Sequence, residues 1–171
     1  NWHLDAIAHH LEGVASGRIR RLVITVAPRS LKSVTASVAF PAWLHGRDPT
    51  KQIICLSYAQ DLAVKNANQC RAVMNADWYK SAFPKTLISR SKNTEAEFET
   101  TAGGFRFSTS VGGVLTGRGG DIIIVDDPIK PGDAMSESVR TSVNEWFDRT
   151  VHSRLNQQSA GAMILVMQRL H

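Results

Sequence analysis

The chain has 171 residues, of which 43% are hydrophobic, and a formal net charge of +5. That is enough apolar material for one well-buried domain, while no apolar run approaches the ~20 residues of a membrane span. The positive balance suits a polyanionic partner only weakly, because the basic residues are scattered, with modest clusters at Arg18-Arg20-Arg21 and Lys85-Arg90-Lys92.

In chain order, Leu4, Ile7, Ala8, Leu11 and Val14 carry the i, i+3, i+4 spacing of an amphipathic helix over 3–16, with Gly17 as its stop. RLVITVA at 21–27 reads as a first buried strand, and 33–45 as a helix ending near Gly46. QIICLSY at 52–58 predicts a second buried strand. The segment 60–76 predicts a helix with Ala63, Ala67, Cys70 and Met74 on one face. Cys55 and Cys70 lack metal-ligand spacing and read as buried, reduced thiols of a cytosolic protein. EAEFET at 95–100 and FRFSTS at 105–110 flank Thr101-Ala102-Gly103-Gly104, which suggests a β-hairpin. A Gly-rich loop at 112–120 leads into a third buried strand, DIIIVD at 121–126. A long helix over 134–155 turns Val139, Val143, Trp146, Phe147 and Val151 inward, and AMILVMQ at 162–168 is the last strand. Strands that are apolar throughout and alternate with helices argue for a mainly parallel α/β sheet covered on both faces. Without repeats or linkers, residues 1–171 read as a single domain. Its start at Asn1 and its end just after a strand suggest a fragment of a longer protein.

The pair formed by APRSLKS at 27–33 and IIIVDDP at 122–128 carries the most chemistry. A Lys-Ser after one strand and two carboxylates after another are what a phosphate–Mg²⁺ site needs. The helix that follows Ser33 would add free N–H groups and a favourable dipole for an anion. The phosphate-loop pattern G-x-x-x-x-G-K-[ST] would place glycine at 26 and 31, where this chain has Val26 and Leu31. The competing reading is a basic helix start, with Pro28 as a turn residue.

With these motifs placed, the chain resembles the N-terminal ATPase domain of the large terminase subunit, the motor that packages DNA into capsids of tailed phages and prophages. The resemblance runs through Trp2-His3-Leu4, RLVITVAPRSLKS, ICLSYAQDLAVKNANQCRAVM, TGRGGD with IIIVDDPIK, WFDRTVHSRL at 146–155 and MQRLH at 167–171. Departures are Ala27 for a proline, Leu31 where many members have Gly, and Gln168-Arg169-Leu170-His171 where many have Thr-Arg-Trp-His. The resemblance implies a P-loop NTPase fold of the ASCE, RecA-like kind, with ATP and Mg²⁺ as cofactors. It also implies double-stranded DNA as partner, a homo-oligomeric ring on the capsid portal, a small terminase subunit, and the cytoplasm of a bacterial host. The family's nuclease domain would follow this chain, so the segment alone is expected not to cleave DNA.

The same resemblance distributes roles. Trp2 and His3 would contact adenine, and Pro28, Arg29, Ser30, Leu31, Lys32 and Ser33 would form the ATP loop. Lys32 would neutralise the β/γ-phosphates; otherwise it is a solvated lysine at a helix start. Ser33 and Asp126 would hold Mg²⁺, although Ser33 can also serve as a helix N-cap. Asp127 would orient and deprotonate the attacking water, or else is a turn residue before Pro128. Arg29 in cis, or Arg118 in cis or from a neighbouring subunit, would stabilise the transition-state charge. Gln168 would sense the γ-phosphate and couple hydrolysis to movement. Two other classes remain open at this stage: a DEAD-like helicase ATPase, and a nucleotide-binding module without turnover.

Overall fold

The computed structural model describes residues 1–115 and 117–170. Thr116, from the TGRGGD loop, and His171, from the closing motif, lie outside the described residues. The expected α/β architecture is present. Seven strands form one sheet: β1 (Arg21–Thr25), β2 (Gln52–Ser57), β3 (Ile88–Asn93), β4 (Glu97–Thr100), β5 (Phe105–Ser110), β6 (Ile122–Asp126) and β7 (Ala162–Met167). Their order is β1-β7-β6-β2-β5-β4-β3. The pairs β1–β7, β7–β6, β6–β2 and β2–β5 are parallel, whereas β5–β4 and β4–β3 are antiparallel.

The helices are α1 (Trp2–Ala15), α2 (Phe40–Arg47), α3 (Gln60–Asn75), α4 (Asp77–Ala82) and α5 (Glu137–Trp146). The crossover from β1 to β2 passes β7 and β6 in one direction, and that from β6 to β7 returns in the other. Parallel crossovers are right-handed, so the two connections fall on opposite faces. The cores agree. Ile7, Leu11, Ala36, Phe40 and Leu44 pack on Ile53, Ile122, Ile124 and Ile164 on one face. Val151 and Leu155 pack on Ile54, Ile123, Val125 and Met163 on the other. The period-2 alternation of a strand divides β6 between these cores, and places Asp126 on the face of Ile122 and Ile124. Among the described residues, no helix is long and apolar enough to cross a membrane.

Several expectations need correction. The first strand is not buried: β1 is the edge of the sheet, and Val23 is 64% exposed. An apolar run reads the same whether one or both of its faces are covered. The helix expected over 33–45 begins as a π-helical turn, Val34–Ala39, before α2. The long helix over 134–155 is α5 followed by a π-helical turn, Phe147–Val151, and a short 3₁₀ turn, His152–Arg154. Of the side chains expected to turn inward there, Val151 is buried and Trp146 and Phe147 are partly buried against the same core, whereas Val139 and Val143 are only half-buried. The hairpin is present as β4–β5, but β5 also joins the parallel sheet beside β2, and β3 and α4 were not anticipated. Cys55 and Cys70 are buried free thiols.

Candidate functional site

The site lies at the C-terminal ends of β1, β6 and β7. Parallel α/β sheets present their ligand crevices at this edge, because the loops leaving the strands converge there. β1 ends at Thr25, and the chain then turns through 26–33 into the helical segment. Arg29 and Leu31 have positive φ, 61° and 62°, while Ser30 and Lys32 do not. Alternating hand along consecutive residues curls their amides toward one concavity, the geometry of an anion-binding nest. No described residue accepts from the backbone amides of Arg29 to Ser33. The loop is braced by its own side chains: the Ser30 hydroxyl donates to the Ala27 carbonyl at 2.6 Å, and the Thr35 hydroxyl and amide donate to the Leu31 carbonyl at 3.0 and 2.8 Å. Position 31, where the glycine pattern fails, thus takes the backbone conformation that glycine would supply most easily.

Lys32 and Ser33 meet the two aspartates across the sheet end. Lys32 Nζ donates to Asp127 Oδ2 at 2.8 Å, and Lys32 is 8% exposed. The Ser33 hydroxyl donates to Asp126 Oδ1 at 2.9 Å. Asp126 is 2% exposed, so its charge depends on its neighbours. Its Oδ2 accepts from the Ser37 hydroxyl at 2.8 Å and from Asn66 Nδ2 at 3.4 Å. Burial pushes its carboxyl above the ordinary aspartate range, opposed by the Ser37 and Ser33 hydrogen bonds; Asp127 raises it further and Lys32 lowers it. Beside it on β2, the buried Ser57 hydroxyl has no partner among the described residues.

Asp127 leaves the strand with φ 46°. A residue before proline is ordinarily extended, so this conformation is held from outside. Its amide donates to the Val166 carbonyl at 2.8 Å, and its carbonyl accepts from the Tyr58 amide at 3.0 Å. The turn aims Asp127 at Lys32, while Asp126 stays in line with the strand.

The other expected residues divide by location. Pro28 and Arg29 are exposed in the loop, and Arg29 has no side-chain partner among the described residues. Gln168 directly follows β7, between β1 and β6, and is half-buried at the same sheet edge. α1 lies alongside the Val34–Arg47 segment, with Ala8 and Leu11 by Thr35 and Ala39, and Glu12 and Ala15 by Trp43 and Leu44. That direction puts Trp2 and His3 at the end of the helix pair nearest the 27–33 loop; Trp2 is 83% exposed. Arg118 is placed elsewhere. Its guanidinium pairs with Glu97 and lies 4.3 Å over the Phe107 ring. Phe107 belongs to the core on the face opposite Ser33 and Ser37.

Sequence reasoning missed Ser37 and Asn66. Ser37 carries a legible signal, since it stands one helical turn after Ser33 and thus on the same face. Asn66 carries none, because its approach depends on how α3 packs. The donor set fits Mg²⁺: a carboxylate and a hydroxyl are hard oxygen ligands, and Mg²⁺ takes few protein ligands and keeps water or phosphate for the rest. Among the described residues, no cluster of three or more His, Cys, Asp or Glu could cage a metal without such help. Compared with known proteins, the chain matches no family model and no curated protein.

Proposed function

We propose that this chain is a P-loop ATPase domain of the large-terminase type, which hydrolyses ATP with Mg²⁺ to drive double-stranded DNA into a procapsid. The observation that carries the reading is the convergence of a nest, whose amides from Arg29 to Ser33 have no backbone partner among the described residues, with Lys32, Ser33, Asp126 and Asp127. The resemblance of the ordered motifs supplies the motor and its partners: a ring on the portal and a small terminase subunit.

In this reading the nest amides bind the phosphates, and Lys32 exchanges its bond to Asp127 for the β/γ-phosphate oxygens. That exchange frees the Asp127 carboxylate to orient a water in line and accept its proton. Ser33 and Asp126 would hold Mg²⁺, which supplies charge neutralisation on the phosphate oxygens when bound. Arg29, in the loop, can reach the transferring group in cis. Arg118 would act, in cis or toward a neighbouring subunit, only on leaving Glu97. Gln168, which directly follows β7, would sense the γ-phosphate and couple hydrolysis to movement.

A second reading, nucleotide binding without turnover, draws on one observation. Asp127 is tied to Lys32 at 2.8 Å, and it is one methylene shorter than the glutamate common in this role. Steady-state phosphate release with Mg²⁺, with and without double-stranded DNA, separates the two. Turnover that DNA accelerates supports the motor; ATP binding without release supports the inactive module.

A further inference from the structure

Arg106 in β5 is fully buried, yet no carboxylate pairs with it among the described residues. A buried guanidinium is costly unless its donors are used. Nη1 donates to the Ser108 hydroxyl and Nη2 donates to the Ser37 carbonyl at 2.9 Å, while Nε has no partner among the described residues. In an α-helix the Ser37 carbonyl would accept from the N–H of residue 41. Residue 41 is proline, which has none. Around this gap the backbone is π-helical, with the Phe40 amide donating to the Thr35 carbonyl five residues back. The same Ser37 sends its hydroxyl to Asp126 Oδ2 at 2.8 Å. Ser37 is therefore gripped at both polar ends, by Arg106 on its carbonyl and by Asp126 on its hydroxyl.

We propose that Arg106 is a positioning residue of the acidic site. It stands in for the N–H that Pro41 lacks, and so holds the Ser37 hydroxyl on Asp126 Oδ2. With Oδ2 occupied by Ser37 and Asn66, Oδ1 beside Ser33 is the oxygen presented to a metal. This last consequence rests on the Mg²⁺–phosphate reading above.

The test is a double-mutant cycle between S37A and D126N, read from the unfolding equilibrium of the full chain in three backgrounds. With Arg106 present, the two substitutions should couple by about tenfold in the equilibrium constant, the scale of a hydrogen bond to a charged group. In R106Q the coupling should fall towards unity. In R106Q/P41A it should return, because residue 41 again has an N–H to give to Ser37. If R106Q alone does not fold, recovery of folding and coupling in R106Q/P41A carries the same information. Coupling that persists in R106Q, or a double variant that recovers neither, overturns the proposal.

A second arm titrates Mg²⁺ against nucleotide binding. R106Q should need about tenfold more Mg²⁺ for half-maximal binding, with unchanged affinity for metal-free ATP; equal loss of both would mean general damage and count against the positioning role. If the parent chain binds no Mg²⁺–ATP, the ATPase reading fails while the coupling cycle still decides the role of Arg106.

Discussion

Lys32 and Lys85 are both lysines near turns, but only Lys32 is buried against a carboxylate at the end of the parallel sheet. Lys32→Ala should abolish detectable ATP binding, whereas the exposed Lys85→Ala should leave it unchanged. An equal loss in a binding titration would mean that general charge, rather than a shaped site, attracts the nucleotide. The aspartates should separate in the same way. Asp127→Asn keeps a polar group at the turn and should bind Mg²⁺–ATP while losing ~10²–10⁴ in single-turnover hydrolysis, the scale of a lost general base. Asp126→Asn should weaken both binding and turnover. Parent-like hydrolysis by Asp127→Asn would remove Asp127 from the role of base. Leu31 offers a test of backbone strain. A left-handed backbone costs an L-residue roughly 1–2 kcal/mol, and its side chain is 54% exposed and contributes little packing. Leu31→Gly should therefore leave stability unchanged or raise it by up to about 1 kcal/mol, after the flexibility glycine adds to the unfolded chain. Leu44→Gly, at a position 3% exposed, should lose several times that in the same denaturant titration.

Among the elements, the Val34–Arg47 segment carries most of the site's support and one acid-sensitive group. His45 in α2 is fully buried, and neither ring nitrogen has a partner among the described residues. Burial lowers its pKa from 6.5 to about 4; nearby Arg106 lowers it as well, and Asp48 opposes them. The unfolded chain therefore binds a proton that the folded chain refuses between these values. Its contribution to stability is complete above pH 6.5 and is lost as pH falls through about 4, a loss on the order of 3 kcal/mol. His45→Phe, beside the Phe98 ring, should flatten the difference between unfolding at pH 7 and pH 5. An unchanged difference would place the acid sensitivity in other groups. The same segment shows what the sequence could and could not disclose. Its helical nature was read from its place between the Lys-Ser motif and Gly46. The π-helical turn was not legible in the local sequence, and the guanidinium that meets its Ser37 carbonyl comes from Arg106, 69 residues further along. β1 was misread for a related reason: Leu22, Val23 and Ile24 are apolar in sequence, but only the strand order places them at an edge where Val23 meets solvent.

For the whole molecule, the strand order is the strongest link between fold and site. β7 lies between β1 and β6, so the 26–33 loop, Asp126-Asp127 and Gln168 leave neighbouring strands at one sheet edge. The Lys-Ser and Asp-Asp motifs were legible from residue type and from their position after apolar strands. Their meeting within hydrogen-bond distance follows from this topology, as does the placement of Arg118 on the far face with Glu97. A packing motor of this type should also release phosphate faster when double-stranded DNA is added, with less gain at high salt because phosphate contacts are screened. DNA without effect on turnover would separate the ATPase chemistry from the motor assignment. The most direct test of the central claim is nucleotide binding with the metal supplied or removed. Equilibrium titration of the parent chain with a fluorescent ATP analogue should give saturable binding in Mg²⁺, weaker binding in EDTA, and none for Lys32→Ala in either condition. Binding that is absent from the parent, or indifferent to both the metal and Lys32, would contradict a phosphate–Mg²⁺ site at the ends of β1 and β6.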